Sequence, residues 1–257
     1  MGHHTVRGLR SAIGLLTRLP VSHVEEADLP KAVAWVPVVG GFIGLVIALV
    51  YSLALEALPA LPAAGLALTF GVLVTGAFHE DGLADTADGF GGGSDREDVI
   101  RIMRDPMLGT FGVIALVTSF AIKLGAMTVL GVGEALVLLP AVHALSRGAS
   151  IGLMAVIPPA SAVGVGMAHA ATGNGRRAIV GILAAIAISL LLVGWWTVAF
   201  VALAGLGTVT MGWIAQDRIG GFTGDVLGAV EQVGEVLLLS LGAALASRGL
   251  LAGAWWN

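Results

Sequence analysis

The chain contains no cysteine, which excludes disulfide bonds, zinc–thiolate sites and cysteine nucleophiles. Any metal ion would therefore need oxygen or imidazole ligands. Charged side chains are also scarce: Asp, Glu, Lys and Arg make up 12% of the 257 residues, hydrophobic residues make up 57%, and the mean hydropathy is +0.95. Soluble domains are less apolar than this, so the sequence predicts an integral membrane protein.

Apolar runs long enough to cross a bilayer recur along the whole chain. A transmembrane helix needs about 20 apolar residues, and seven runs approach that length, near 32–55, 58–78, 108–131, 135–157, 178–194, 196–215 and 226–247. The runs exceed strand length and lack the alternation of barrel strands. We predict one all-α domain over residues 1–257, a polytopic transmembrane helical bundle of about seven spans (six to eight). An amphipathic helix at Val6–Leu19 on the membrane surface precedes it.

Basic residues are unevenly distributed between the predicted loops. With a cytosolic N-terminus, most of the 13 Lys and Arg residues lie in cytosolic segments: Arg7, Arg10, Arg18, Lys31, Arg96, Arg101, Arg104, Arg176, Arg177 and Arg218. This asymmetry is typical of the positive-inside rule. We therefore expect a multi-pass protein of the cell (inner) membrane, with segments 78–105, 166–177 and 217–225 on the cytoplasmic side.

Carboxylates concentrate in the segment FHEDGLADTADGFGGGSDREDVIRIMRD, residues 78–105. Asp81, Asp85 and Asp88 are spaced i, i+4, i+7, which places them within about 60° on one face of a helix. Converging carboxylates repel unless a cation lies between them, and hard oxygen ligands suit Mg²⁺ or Mn²⁺. The alternative is a solvated acidic segment. The spacing does not fit an EF-hand loop.

Glycines and arginines follow this acidic helix. Segment 89–95 reads GFGGGSD and is predicted as a loop, either a flexible connector or a cradle for phosphate. Arg96, Arg101, Arg104 and Asp105 come before the next span. Arginines neutralise phosphate oxygens in phosphoryl transfer, and we favour Arg101 and Arg104 for that role.

Several charged residues fall inside predicted spans: Lys123, Arg147, Glu231 and Glu235, with His143 one turn before Arg147. A charge at the centre of a bilayer costs about 3 kcal/mol on insertion scales, so each should face a watered cavity or an internal ion-pair partner. Lys123 and the glutamates could instead reach a helix end by snorkelling. On the cavity interpretation, Arg147→Leu should fold but lose activity.

Four segments resemble the cobalamin synthase family, the adenosylcobinamide-GDP ribazoletransferases of the late corrinoid pathway. They are FHEDGLADTADG (78–89), IMRDPMLGTFG (102–112), LSRGAS (145–150) and GGFTGDVLGAVEQVGE (220–235), and LTRLPV (16–21) fits the same pattern. The resemblance covers nearly the whole chain. The matching positions are His79, Asp81, Asp85, Asp88, Arg104, Asp105, Gly109, Thr110, Lys123, Arg147, Thr223, Asp225 and Glu235. Glu80 and Pro106–Met107 depart from the pattern, and Glu231 has no match and receives no role.

The resemblance implies a Mg²⁺-dependent transferase that joins α-ribazole or its 5′-phosphate to adenosylcobinamide-GDP and releases GMP, with Mn²⁺ as an alternative ion. Asp81, Asp85 and Asp88 would hold the metal on the diphosphate, and His79 or Asp105 would complete the site or accept the proton of the attacking hydroxyl. The implied substrate-binding residues are Arg104, Thr110, Lys123, Arg147, Thr223, Asp225 and Glu235. The lipid bilayer is a further partner, nucleic acid is not, and oligomer formation stays open.

Two other functions fit parts of this pattern. A CDP-alcohol phosphotransferase also combines membrane helices, an Asp-Gly-rich motif and Mg²⁺, but its motif needs Ala-Arg after the first Asp-Gly, whereas Asp85 follows Ala84 here. A cation-recruiting transporter should show paired half-sequences or broken helices around a midplane site. The predicted acidic helix begins instead at the end of a span.

The predicted orientation can be checked by cysteine labelling, because the chain has no native cysteine. Single cysteines at Ser94, Gly173 and Gly220 should all react with a membrane-impermeant reagent applied from the cytosolic side. Labelling of any of them only from the opposite side would reverse the orientation.

Overall fold

A computed structural model of the chain describes residues 2–21, 29–160 and 175–251, with side chains from residue 6 onward. These residues are predominantly helical, which confirms the all-α prediction, and one isolated β-bridge joins Pro159 to Phe222. The helices are α1 (Gly2–Leu16), α2 (Leu29–Ala32), α3 (Val36–Leu55), α4 (Ala60–Thr75), α5 (Phe78–Gly92), α6 (Arg96–Met103), α7 (Thr110–Met127), α8 (Val132–Val156), α9 (Gly175–Val193), α10 (Thr197–Ile219) and α11 (Gly224–Ala246).

The described helices agree with about seven spans. Five helical segments are long and apolar enough to cross a membrane, and the pair α4 and α5 qualifies as a sixth. The longest segment, Gly175–Ile219, reverses direction. Ser189 Oγ and Thr197 Oγ1 lie 2.9 Å apart, although eight residues along a straight helix span about 12 Å. Gly194 allows the reversal with a left-handed φ of 61°, so α9 and α10 are separate spans.

A 90° bend separates α4 from α5. Gly76 and Ala77 at the bend have φ angles of 68° and 59°, and Ala77 is the one non-glycine residue with a positive φ in the described part of the chain. Helix α4 is apolar, whereas α5 carries four carboxylates. Carboxylates are costly in lipid, so we take α4 as the crossing segment and α5 as a helix outside the spans.

Glycines allow close approach of the helices around α5 and α8. A Cβ added to Gly82 of α5 would lie 2.8 Å from the carbonyl oxygen of Asp225, and one added to Gly44 of α3 would collide with the backbone of Leu139. Gly40, one turn before Gly44, leaves room for the Arg147 side chain of α8. Such small-residue contacts replace the hydrophobic driving force that lipid removes. Helix α5 therefore lies directly against the first turns of α11.

The N-terminal amphipathic helix is present but lies a few residues earlier in the chain than predicted. It runs over Gly2–Leu16 and not over Val6–Leu19. The Thr17 hydroxyl donates to the Ile13 carbonyl (2.7 Å) at the point where the helix ends. Ala12 and Leu16 belong to the main buried apolar cluster, and the Arg18 N–H donates to the Val74 carbonyl (2.8 Å). One face of α1 is thus docked on the protein.

The labelling positions differ in their structural setting. Ser94 is exposed, as the experiment requires. Gly220 has a φ of 76°, a conformation that strains a cysteine, so exposed Asp217 is the better site in that segment. Gly173 and most of segment 166–177 lie outside the described residues.

The bend predicts an unusual effect of substitution. Ala77→Gly should increase the free energy of unfolding by up to about 1 kcal/mol, because glycine adopts the left-handed conformation without the Cβ clash. Gly76→Ala should have the opposite effect at the neighbouring position. Thermal unfolding in detergent measures both variants, and a lower melting temperature for Ala77→Gly would show that the bend is not strained there.

Candidate active site

The three predicted aspartates share one helix, α5, as the i, i+4, i+7 spacing requires. We call Asp81, Asp85 and Asp88 the aspartate face. Their environments differ: Asp81 is exposed, Asp85 is half-buried and Asp88 is 7% exposed. The face therefore runs from solvent into the helical bundle and is not a uniformly solvated surface.

Asp88 caps the beginning of α7. Its Oδ2 accepts a hydrogen bond from the Gly109 N–H (2.7 Å) and its Oδ1 accepts one from the Gly112 N–H (2.8 Å). A Cβ at either glycine would collide with the carboxylate, so these positions need to lack a side chain. A negative charge is favourable at a helix N-terminus, and Asp88 thereby joins α5 to α7.

Asp85 lies in a region of excess negative charge. Burial, together with the nearby carboxylates of Asp81, Asp225 and Asp88, raises the pKa of Asp85 to about 6. Asp225 belongs to the first turn of α11 and has Arg104 among its electrostatic neighbours. A cation bound here would relieve the repulsion between carboxylates.

The described residues contain no group of three His, Asp or Glu side chains close enough together to hold a metal ion. Mg²⁺ rarely needs such a group, since it commonly binds one or two carboxylates and completes its coordination with water and substrate phosphates. Asp81 and Asp85 meet that smaller requirement. The aspartate face therefore fits an ion that arrives with a phosphorylated substrate.

Other predicted residues near this face have local structural roles. Asp105 Oδ1 accepts from the Met107 N–H (2.9 Å), and Thr223 Oγ1 accepts from the Val226 N–H (3.2 Å) as the N-cap of α11. Thr110 is the exposed first residue of α7.

The two favoured arginines are placed differently. Arg101 pairs with Asp98 on α6, where its hydrogen bond lowers the pKa of Asp98. Arg104 is exposed and lies near Asp225. Of the pair favoured from the sequence, Arg104 is thus the one associated with the acidic cluster.

The glycine-rich segment is mostly helical, so its interpretation as a loop was wrong for residues 89–92. These glycines form the end of α5, and only 93–95 connect α5 to α6. A Cβ at Gly89 would lie 3.1 Å from the Val99 carbonyl, which indicates that this glycine permits α6 to pack on α5. Arg218, which the sequence analysis did not select as a site residue, caps this end through the Phe90 and Gly93 carbonyls (2.9 and 2.6 Å).

The charges predicted inside the spans form a second cluster, which we call the buried charge network. Arg147 is 1% exposed and pairs with two glutamates of α11: Nη2 lies 2.7 Å from Glu231 Oε1, and Nη1 lies 3.0 Å from Glu235 Oε1. Glu80 joins the network by accepting a hydrogen bond from Gln232 Nε2 (3.3 Å). The members of the network are His79, Glu80, Lys123, His143, Arg147, Glu231, Gln232 and Glu235.

The remaining contacts add a second link between α8 and α11 and join α11 to α5 and α7. Lys123 Nζ lies 2.8 Å from Glu235 Oε2 and 2.6 Å from Gln232 Oε1, and His143 Nδ1 lies 2.8 Å from Glu235 Oε1. His79 Nε2 lies 2.6 Å from Glu231 Oε2. Lys123 and both glutamates are buried, so they do not snorkel. Internal ion pairing is the arrangement that the structure shows.

The predicted site residues thus divide into two groups. The aspartate face lies near Arg104 and Asp225, whereas His79, Lys123, Arg147 and Glu235 lie in the buried charge network. His79 precedes Asp81 by two residues, which turns the two side chains about 200° apart around α5. Sequence reasoning missed the partner role of Glu231 and Gln232. The i, i+4 spacing of Glu231 and Glu235 within a span was the signal that could have revealed Glu231.

Comparison with known proteins adds independent information. The family model described as cobalamin-5-phosphate synthase matches residues 8–243. The chain belongs to this family. The match includes the aspartate face and the entire buried charge network.

Relatives named adenosylcobinamide-GDP ribazoletransferase resemble the chain over most of its length. The protein from Bradyrhizobium diazoefficiens is 38% identical over 253 residues, covering 95% of this chain and 97% of its own. The protein from Rhizobium etli is 40% identical over 245 residues (89% and 93%), and that from Chlorobaculum tepidum is 36% identical over 248 residues (95% and 97%). No solved structure matches the chain significantly.

The network changes what is expected of Arg147→Leu. The variant leaves Glu231 and Glu235 buried without their shared cation, which should cost about 3–5 kcal/mol of stability, contrary to the expectation that it folds normally. Yield and thermal unfolding in detergent test this, with exposed Arg177→Leu as the control. Adding Glu231→Gln to Arg147→Leu should recover part of the loss. A stable single variant would show that the pairing contributes little.

Proposed function

We propose that this chain is an adenosylcobinamide-GDP ribazoletransferase acting in the last steps of adenosylcobalamin biosynthesis. The observation that carries the proposal is the match of residues 8–243 to the cobalamin-5-phosphate synthase family. Relatives of nearly equal length carry the corresponding name. The several membrane-spanning helices and the basic residues of the predicted cytosolic segments support an inner-membrane enzyme whose active site faces the cytoplasm.

The proposed reaction transfers a phosphorus-containing group. A ribose hydroxyl of α-ribazole, or of its 5′-phosphate, attacks the phosphorus attached to the cobinamide arm of adenosylcobinamide-GDP. The bond from that phosphorus to the bridging oxygen breaks, and GMP leaves with that oxygen. The hydroxyl proton passes to a base or to water. The step needs positioning and charge neutralisation more than covalent chemistry by the protein.

The aspartate face would provide much of that neutralisation. Asp81 and Asp85 would hold Mg²⁺, or Mn²⁺, which when bound neutralises charge on the diphosphate. Asp88 stays a predicted third ligand, and its hydrogen bonds to Gly109 and Gly112 also keep α7 in place beside the site. Arg104, exposed and close to Asp225, would pair with a phosphate oxygen.

Asp105 is the better placed of the two predicted proton acceptors. It lies on the exposed connection beside Arg104, whereas His79 is buried and its Nε2 lies 2.6 Å from a Glu231 oxygen. We therefore assign proton acceptance to Asp105 and not to His79. The substrate-binding roles of Lys123, Arg147 and Glu235 stay predictions, because each of these side chains has protein partners in the buried charge network.

One structural feature matches an expectation for the rival transporter, namely the broken helix pair α4 and α5. The family match and the names of the relatives favour the transferase over both the transporter and a CDP-alcohol phosphotransferase. Release of GMP separates these functions directly, since neither rival produces it from a corrinoid nucleotide.

The decisive measurement is GMP release by the purified protein supplied with adenosylcobinamide-GDP and α-ribazole. The parent should release GMP only with Mg²⁺ or Mn²⁺ present, and EDTA should stop the reaction reversibly. Asp85→Asn should lower turnover by about 10²–10⁴-fold, the range in which single electrostatic or acid–base groups act, with partial recovery at high Mg²⁺.

Two controls make the result interpretable. Thermal unfolding in detergent should show that Asp85→Asn folds, and Glu97→Gln, an exposed carboxylate on α6, should keep parental turnover. Absence of GMP from the parent would refute the proposed function. Parental turnover by Asp85→Asn at every Mg²⁺ concentration would instead remove Asp85 from the metal site and leave the function standing.

A further inference from the structure

Glu231 connects the beginning of α5 to α8. Its Oε2 lies 2.6 Å from His79 Nε2 of α5, and its Oε1 lies 2.7 Å from Arg147 Nη2 of α8. The three residues are 2%, 4% and 1% exposed for Glu231, His79 and Arg147. Water therefore cannot replace these contacts easily, and the low local dielectric strengthens them.

Glu231 contacts α5 at its first turn, next to the strained bend that precedes the helix. His79 is the second residue of α5 and directly follows the bend at Gly76 and Ala77, where two successive left-handed residues turn the chain by 90°. A strained non-glycine residue persists only when surrounding contacts hold it. The Asp88 cap holds the far end of α5, at α7, whereas the first turn is held on the α11 side.

We propose that Glu231 is a positioning residue that acts through His79. By binding His79 it holds the first turn of α5 against α11, and it thereby sets where Asp81 and Asp85 are presented. The consequence for catalysis rests on the proposed function. The positional role of Glu231 does not, because it follows from the contacts alone.

Glu235 provides a matched comparison one turn along α11. It is also buried and ion-paired, but its contacts are to Lys123 of α7 and to His143 and Arg147 of α8. No described hydrogen bond or ion pair joins Glu235 to α5. The two glutamates thus differ chiefly in which helices they hold, and replacement by glutamine changes the same charge at both positions.

His79 provides a second, independent comparison. His79 Nε2 is the atom that faces the Glu231 carboxylate, at 2.6 Å. The group needed at this position is therefore a donor at the far end of the side chain. Glutamine places an amide NH₂ near that position, whereas the shorter asparagine places its NH₂ near Nδ1. If His79 positions α5, glutamine should substitute for it and asparagine should not.

Hydrogen–deuterium exchange of the full-length protein in detergent tests the proposal without any substrate. Glu231→Gln and His79→Asn should each speed exchange of amides 78–85 by about 10-fold or more, because local opening of a segment controls exchange. His79→Gln should stay within about 2-fold of the parent in the same measure. Glu235→Gln should leave amides 78–85 equally unchanged while exchange rises in α7 or α8.

A second experiment measures GMP release by the parent and by Glu231→Gln at increasing Mg²⁺ concentrations. Glu231→Gln should raise the Mg²⁺ concentration for half-maximal rate by about 3–10-fold, since small displacements of catalytic groups are costly. Unchanged exchange of α5 in Glu231→Gln, or an equal rise in Glu235→Gln, would overturn the proposal. If Glu231→Gln does not fold, the contrast between His79→Gln and His79→Asn decides. If the parent releases no GMP, the proposed function fails, and exchange still decides the role of Glu231.

Discussion

The pairing of Arg147 with Glu231 and Glu235 is the constraint on which the rest of the bundle depends. A guanidinium buried among membrane helices is tolerated only when carboxylates compensate it, and both carboxylates come from α11. Lys123 from α7 contacts Glu235 and His79 from α5 contacts Glu231, while Gly40 of α3 leaves space for the arginine stem. Four helices, α5, α7, α8 and α11, are therefore joined by one set of electrostatic contacts, and α3 packs against it at Gly40.

Helix α5 separates two kinds of polar chemistry. Towards the bundle it presents His79, which lies 2.6 Å from a Glu231 oxygen. Towards its outer side it presents Asp81 and Asp85, which lie in a region of excess negative charge. The helical period places these residues on different sides of a single short element. The carboxylates of Asp81 and Asp85 can bind a cation that accompanies a phosphorylated substrate. The buried charge network holds the helices in place, so the two sides of α5 have different roles.

Missing side chains matter as much as charges at this site. Gly82 lets the backbones of α5 and α11 approach, and Gly109 and Gly112 make room for the Asp88 carboxylate at the start of α7. In lipid, close packing must replace the hydrophobic effect between helices. The glycines of the DGLAD and LGTFG segments are thus required for close packing at the site, although they contribute no reactive group.

The sequence by itself determined the features that depend on local order. Apolar runs near 20 residues predicted the spans, and the i, i+4, i+7 spacing predicted that Asp81, Asp85 and Asp88 share a helix, since both follow from the repeat of an α-helix. Tertiary structure alone decided what each charge meets. Asp88 accepts hydrogen bonds from backbone amides of α7, and Glu231, to which the sequence assigned no role, contacts His79 and Arg147. These contacts join residues 21 to 152 positions apart, and such pairings depend on how helices pack, for which a local pattern holds no information.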